Sequence, residues 1–399
     1  MRKILALLVG LIIGFCPLAV RAQAAAGPIK IGHIADLTGV EAMTGEVAKR
    51  ALEYAVKSLG GKIAGRQVEI VLGDAQGQPS VAVDVARKMV EQDKVAAIFG
   101  PTQIGQKSAV GEYIKTAGIP LFFYNATPPR LLASNNWLVG AGGATPQLPS
   151  VMAAYLYNEL GYRTVHTLGQ DNTGGRSYID PFVEVFKKLG GTVVSQHWSP
   201  VPCPDFGPYL ATMDKADALL AWVSSSDAVS LWTAWHDMGV NKKMPIVAAM
   251  HGGFTDYYVA DAIAASNPGA AAAMLGAFAP ITYVYDLDNP ENKALVEGWT
   301  KEFGSVPLGN NLAGSATEVF LVLKAALEKT GGDTEPGKLI KAIFEADVNG
   351  PEGHLFFNNS HAATKDIYVV KVIRRDDGTF NYSRQKTYKD VPPTGLAVK

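Results

Sequence analysis

The chain predicts an α/β fold of two lobes, each built on a parallel sheet. Three observations carry this: short apolar runs alternate with helical patterns, the glycine-rich stretch Gly140-Ala141-Gly142-Gly143 interrupts the rhythm, and the rhythm then restarts. Strict alternation of strand and helix is the pattern of a parallel sheet covered on both faces. The first strand is Ile29 to Ile34, followed by Ala48, Leu52, Ala55, Val56 and Leu59 on one helical face. Gln67 to Leu72 is the next strand, and Ala82, Val85, Ala86, Met89 and Val90 again have helical spacing. Val95 to Gly100 is a short apolar run of the buried-strand type. Ala109, Tyr113, Ile114 and Ala117 then mark a helix, and Pro120 to Tyr124 a fourth strand.

Beyond the glycines, a helix is expected near Ser150 to Leu160. Strands follow near Thr164 to Leu168, Thr192 to His197, Ala218 to Val223 and Ile246 to Ala249. The helix from about Ser315 to Lys329 reads as a return to the first lobe, before Tyr368 to Ile373 adds a late strand.

The N-terminus has the order of a secretory signal: Arg2 and Lys3, an apolar run from Ile4 to Phe15, then small residues through Ala26. That run is too short to span a bilayer, and no later stretch is long enough. Cys16 follows Phe15, where a lipid-attachment site needs a small residue, so cleavage near Gln23 to Gly27 without acylation is expected. Cleavage leaves Cys203 without a disulfide partner. After cleavage at Ala26, 373 of the 399 residues remain, enough for two domains, and loss of Arg2, Lys3 and Arg21 takes the formal charge from −1 to −4. With no basic cluster, nucleic acid and anionic membrane surfaces are not expected as partners.

Ligands of open parallel sheets lie beyond the carboxyl ends of the strands, where helix N-termini converge. This nominates 36–39, 74–76, 100–105 and 124–127 in the first lobe, and 170–175, 224–227 and 250–253 in the second. Tyr124, Asn125, Asn172 and Ser224 fall in these loops and Trp222 ends a strand pointing at the cleft, so all five are candidate contacts, with core packing the alternative for Tyr124 and Trp222.

The chain resembles the type I periplasmic binding proteins, specifically the leucine/isoleucine/valine-binding family. The residues that carry this are Ile29 to Gly32 with Leu37-Thr38-Gly39, Gly65, Asp74, Ile98 to Pro101, Gly118 to Pro120, Ala126-Thr127, Asp171 to Arg176, Asp205-Phe206, Gly350 to Gly353 and Phe356-Phe357-Asn358. The resemblance implies two Rossmann-like lobes joined by a three-crossover hinge that close on a ligand. It divides the chain into a signal at 1–26, an N-terminal lobe at 27–145 and 280–355, and a C-terminal lobe at 146–279 and 356–399. It implies a monomer that binds a small carboxylate, amide or amino-acid-like solute in the periplasm for an ABC transporter permease. A periplasmic sensor subunit on the same fold is the alternative.

By similarity, the solute's carboxylate or amide is gripped by Thr102, Gln103, Ile104 and Gly105 with Ala126 and Thr127. Ile104 stands where amino-acid binders commonly carry Ser, Gly174 where many carry Tyr, and His251 where leucine-type proteins place the Glu that meets the ammonium. His251 is a poor partner for a cation, so the solute's far end is expected not to be one.

No enzyme constellation competes. There is no His-Glu-x-x-His, Cys-x-x-Cys, Gly-x-Ser-x-Gly or strand-linked Gly-x-Gly-x-x-Gly, and no cofactor is expected. Gly332 to Leu339 has phosphate-loop spacing but lacks the Ser or Thr for magnesium and contains two acids. His236-Asp237 reads as the exposed end of a helix, Trp232 and Trp235 as packing, and His33 as a hydrogen-bonded core residue. Asp171 and Asp227 read as helix N-caps.

Overall fold

A computed structural model describes residues 27–307, 311–357, 361–376 and 378–397. The expected signal at 1–26 and Asn358 lie outside the described residues.

The first lobe opens with β1 (Ile29–Ala35), α1 (Ala42–Ser58), β2 (Lys62–Ile63), β3 (Arg66–Asp74) and α2 (Pro79–Lys88). It continues through β4 (Ala97–Phe99), α3 (Ile104–Ala117), β5 (Leu121–Phe122), α4 (Pro129–Leu132) and β6 (Leu138–Val139). Its sheet has the order β2-β3-β1-β4-β5-β6 and is parallel except for β2, which forms a hairpin with β3. The second lobe follows with α5 (Gln147–Asn158), β7 (Thr164–Gln170), α6 (Thr173–Lys188), β8 (Thr192–Ser199), α7 (Gly207–Leu210) and β9 (Ala218–Trp222). It then runs through α8 (Ser225–Asp237), β10 (Ile246–Ala248), α9 (Tyr257–Ser266), α10 (Pro268–Ala273) and β11 (Phe278–Ile281).

The chain next supplies α11 (Pro290–Phe303), α12 (Asn311–Lys329), α13 (Pro336–Phe344) and the ribbon β12 (Asp347–Gly350) with β13 (Gly353–Phe356). It ends in β14 (Lys365–Arg374) and β15 (Phe380–Val391). The second sheet has the order β15-β14-β11-β10-β9-β7-β8. Its parallel expectation is corrected at one edge: β14 is antiparallel to both β11 and β15, because the chain enters from the first lobe at the opposite end and turns back within a few residues.

Burial follows the helical spacing. Ala48, Leu52, Ala55 and Val56 of α1 share a core with Ala316, Val319, Phe320 and Leu323 of α12, so α12 covers the first sheet beside α1. The chain thus passes between the lobes three times: after β6, after β11 and before β14. At the first pass Gly142 lies so close to the loop after β5 that an added Cβ would come within 2.4 Å of Asn125 N. At the last pass Ala362 and Ala363 are still in first-lobe cores, and Lys365 starts β14.

That last pass is pinned by buried charge. Lys365 Nζ lies 2.6 Å from Glu318 Oε2 of α12 and 2.7 Å from Glu352 Oε2 in the β12–β13 turn. Glu318 Oε1 also accepts from Glu352 N at 2.9 Å. Burial raises the Glu318 carboxyl to about 7, and despite its own burial Lys365 is held above the usual lysine range by the two carboxylates.

Removing the cation strands two buried carboxyl groups, which costs about 3–5 kcal/mol when a buried pair is broken from one side. Lys365→Met should therefore lower the free energy of urea unfolding by that amount. A loss below about 1 kcal/mol would show that the cluster contributes little to the crossing.

Candidate functional site

The carboxyl ends of the two sheets face one another across a cleft of about 290 Å³. That is at the small end of ligand pockets, which run to roughly 1,000 Å³. Of the residues expected from sequence, Thr102, Gln103, Ile104, Gly105, Asn125, Ala126, Asn172, Trp222 and Ser224 line it.

On the first-lobe side, α3 begins at Ile104 with Gln103 as its extended N-cap residue. The first N–H groups of a helix have no partner within it, so Ile104 and Gly105 bring hydrogen-bond donors to the cleft floor. Asp36, at the end of β1, braces this turn by accepting from Gly77 N at 2.8 Å, Gln106 Nε2 at 2.7 Å and Gln103 Nε2 at 3.1 Å. Asn125 is fixed by its Nδ2, which donates to Thr102 O at 3.1 Å. No lysine, arginine or histidine lines the cleft among the described residues.

The second lobe supplies an apolar wall. Tyr178 of α6 packs on Trp222 with ring centroids 5.0 Å apart, and Trp222 Nε1 donates to Gly252 O at 3.2 Å, which fixes the indole. Val201 and Met250 from this lobe join Val47, Leu148 and Leu312 around the space. Asn172 caps α6: its Oδ1 accepts from Gly175 N at 2.9 Å. The cap is thus Asn172 and not Asp171, which is exposed and paired with Arg176. Asp227 is no cap either; its carboxylate takes Gln170 Nε2 and Cys203 N.

Three expected contacts stand elsewhere. Tyr124 is buried in the first-lobe core, its hydroxyl 3.1 Å from His33 Nε2. Strand alternation explains this, since β5 sends Tyr124 back under the sheet and Asn125 out to the loop. Thr127 is fully buried, and its hydroxyl binds Lys107 Nζ at 2.8 Å. His251 is fully buried behind the wall, its Nε2 3.5 Å from Asp256 Oδ1 and its ring edge-on to Tyr382.

The cleft instead has two carboxyl groups that the sequence reading missed. Glu41, immediately before α1, accepts from Ser224 Oγ and, at 2.8 Å, from Ser225 Oγ, both across the cleft. Ser225 Oγ is also 2.8 Å from Thr44 Oγ1, which lies 3.4 Å from Tyr258 OH. Tyr258 OH donates to Asp256 Oδ2 at 2.8 Å, and Gly253 N to the same oxygen at 2.7 Å. A hydrogen-bonded chain therefore joins Glu41 to Asp256 across the cleft. Burial raises both carboxyl groups, Asp256 to about 7, against the hydrogen bonds that favour their charged forms. The signal that could have found them is the same strand-end rule: the nominated loops stopped at Gly39 and Gly253, two and three residues short.

The other sequence candidates fall into structural roles. His236 and Asp237 pair at the exposed end of α8, and Trp232 and Trp235 stack edge-to-face at 5.3 Å in the core. The phosphate-loop spacing at Gly332 is closed by Glu335, whose carboxylate caps α13 through Gly337 N and Lys338 N. Among the described residues, no cluster of three His, Cys, Asp or Glu could hold a metal ion, and no helix is long and apolar enough to cross a membrane.

A family model described as periplasmic binding protein matches residues 28–379. The chain is 24% identical to a Leu/Ile/Val-binding protein homolog of Brucella suis over 93% of its length and 94% of that relative. It superposes on an ABC transporter substrate-binding protein from Sphaerobacter thermophilus with a TM-score of 0.79 and 26% identity, covering 92% of this chain and 99% of that one. A solute-binding protein from Rhodopseudomonas palustris in complex with 3,4-dihydroxybenzoic acid gives a TM-score of 0.82 at 23% identity, covering 92% and 98%.

The raised Asp256 carboxyl fixes the sign of a pH effect. Between the unfolded value near 4 and about 7 the folded protein keeps a proton that the unfolded chain has lost, so the associated stability is full below that window and falls as pH rises through it. Urea unfolding at pH 4.5 to 8 should show wild type losing a few kcal/mol relative to Asp256→Asn. Glu41, shifted the same way, leaves a residual slope in the variant. Parallel pH profiles for the two proteins would mean that Asp256 is ionised throughout.

Proposed function

The chain belongs to the periplasmic binding protein family, and we propose that it serves as the extracytoplasmic solute-binding component of an ABC importer, handing a small carboxylate with an apolar or aromatic body to the permease. The observation that carries this is the division of the cleft. Uncharged donors of the α3 first turn and the Asn125–Ala126 loop form one end, and Tyr178, Trp222, Val201 and Met250 form the wall. Backbone N–H groups at a helix start hold an anion without a basic side chain in contact with it. The family's members bind solutes rather than transform them, and a cleft that closes by hydrogen bonds between lobes fits capture and release.

The far end of the solute is read as uncharged, on grounds other than His251. Glu41 and Asp256 already accept hydrogen bonds from protein donors, and burial favours their protonated forms, which do not neutralise an ammonium but can meet a hydroxyl or carbonyl. The dihydroxybenzoate held by the R. palustris relative is a solute of this class. The name of the Brucella relative points instead to branched-chain amino acids, and the assay must include them.

A thermal-shift panel separates the two. Benzoate or its hydroxylated forms at about one hundred times the dissociation constant should add about 2.7 kcal/mol to stability. Leucine, isoleucine and valine should leave the melting temperature unchanged. The reverse pattern would identify an amino-acid binder whose ammonium meets Glu41 or Asp256.

A further inference from the structure

Lys107, in the first turn of α3, is fully buried and does not line the cleft. It stands directly behind the loop that does. Its Nζ donates to Asn125 O at 3.1 Å, Ala126 O at 2.9 Å and Thr127 Oγ1 at 2.8 Å, and lies 5.0 Å from the centroid of the Phe123 ring. The Thr127 hydroxyl hydrogen is directed to Asn125 O at 3.1 Å, so Thr127 Oγ1 receives from Lys107 rather than donating to it. Three acceptors and an aromatic face are the complement of an ammonium; a neutral amine would need one donor among its partners.

Among the described residues Lys107 forms no ion pair, and burial alone pushes its ammonium well below the usual lysine range. A buried charge without a counter-ion is costly, and Asn125 and Ala126, whose carbonyl groups it binds, line the cleft floor. We infer that Lys107 is the counter-charge of the solute's carboxylate, a positioning and specificity-determining residue that acts through the Asn125–Ala126 loop and makes the cleft prefer an anionic head to its neutral amide. This rests on the carboxylate reading of the cleft. The hydrogen bonds turn the carbonyl groups of the loop inward, away from an anion, and the charge behind them supplies the attraction that the lining residues lack. At a separation of about 6 Å and an effective dielectric constant of about 20, a unit charge discriminates an anion from a neutral amide by about 100-fold.

Calorimetric titration of the purified protein with benzoate and with benzamide tests this on wild type, Lys107→Met and Lys107→Gln. The benzoate-to-benzamide affinity ratio should fall by about 100-fold in both variants, while benzamide binding changes only a few-fold. Lys107→Gln keeps donors for the loop without the charge, so an unchanged ratio in that variant would assign the residue to loop packing and overturn the inference. Parallel loss of both probes would do the same. Where a variant does not fold, the wild-type Lys107 Nζ nitrogen resonance decides: it should move on benzoate binding and stay on benzamide binding, and no movement with benzoate counts against the inference. Binding of neither probe by wild type overturns the carboxylate reading itself, whereas benzoate binding with an unaltered ratio in the variants overturns this inference alone.

Discussion

The two sides of the cleft meet at Glu41. Its carboxyl group leaves the first lobe at the start of α1 and takes hydrogen bonds from Ser224 and Ser225 at the start of α8, so it is dehydrated only when the lobes meet. Closure exchanges its water for two serine hydroxyls, a near-balanced trade for a neutral carboxyl and an unfavourable one for a charged carboxyl. The seam therefore contributes little net energy of its own, and the solute, touching both lobes, decides which state is populated. The same balance explains why the polar groups around the cleft are braced by their own lobes: Asp36 secures the turn before α3, and Trp222 is fixed through Gly252.

The lobes were legible in the sequence because their strands are short, apolar and buried on both faces, and because Ala48, Leu52, Ala55 and Val56 repeat at helical spacing. The edges were not. β2 and β15 pair antiparallel through tight turns, and β15, Phe380–Val391, alternates weakly because much of it faces solvent. At the site, the rule that ligands lie beyond strand ends found nine of the twelve expected lining residues. It failed at Tyr124, where a one-residue change of strand phase sends the ring to the core, and at Thr127 and His251, whose polar atoms serve buried neighbours. No local pattern distinguishes a hydroxyl that meets a solute from one that meets a buried lysine 20 residues away.

Glu41 and Asp256 were missed for a different reason. Each is the residue just before a helix, where an acid reads as ordinary helix-start chemistry, yet neither side chain caps its own helix. Glu41 reaches across to the other lobe, and Asp256 folds back on Gly253 and Tyr258. What makes them part of the cleft is the approach of two segments about 180 residues apart, a long-range fact carried by the hinge and not by either segment alone.

The contact of Gly142 with the loop after β5 has a consequence for how such a protein can diversify. That crossing segment lies against the Asn125 backbone too closely to admit even one methyl group, so the loop that lines this end of the cleft is main chain locked to main chain. Point mutation leaves that contact of main chain with main chain in place, and the charge behind it changes only by exchange of the buried Lys107. The opposing wall, by contrast, consists of Tyr178, Trp222 and Met250 side chains that can be exchanged one at a time. If the solute's head group sits on that loop, as proposed, a lineage built this way keeps its chemical class of cargo while altering cargo shape, and gene duplication would yield a set of carriers that share a head group and divide the bodies attached to it.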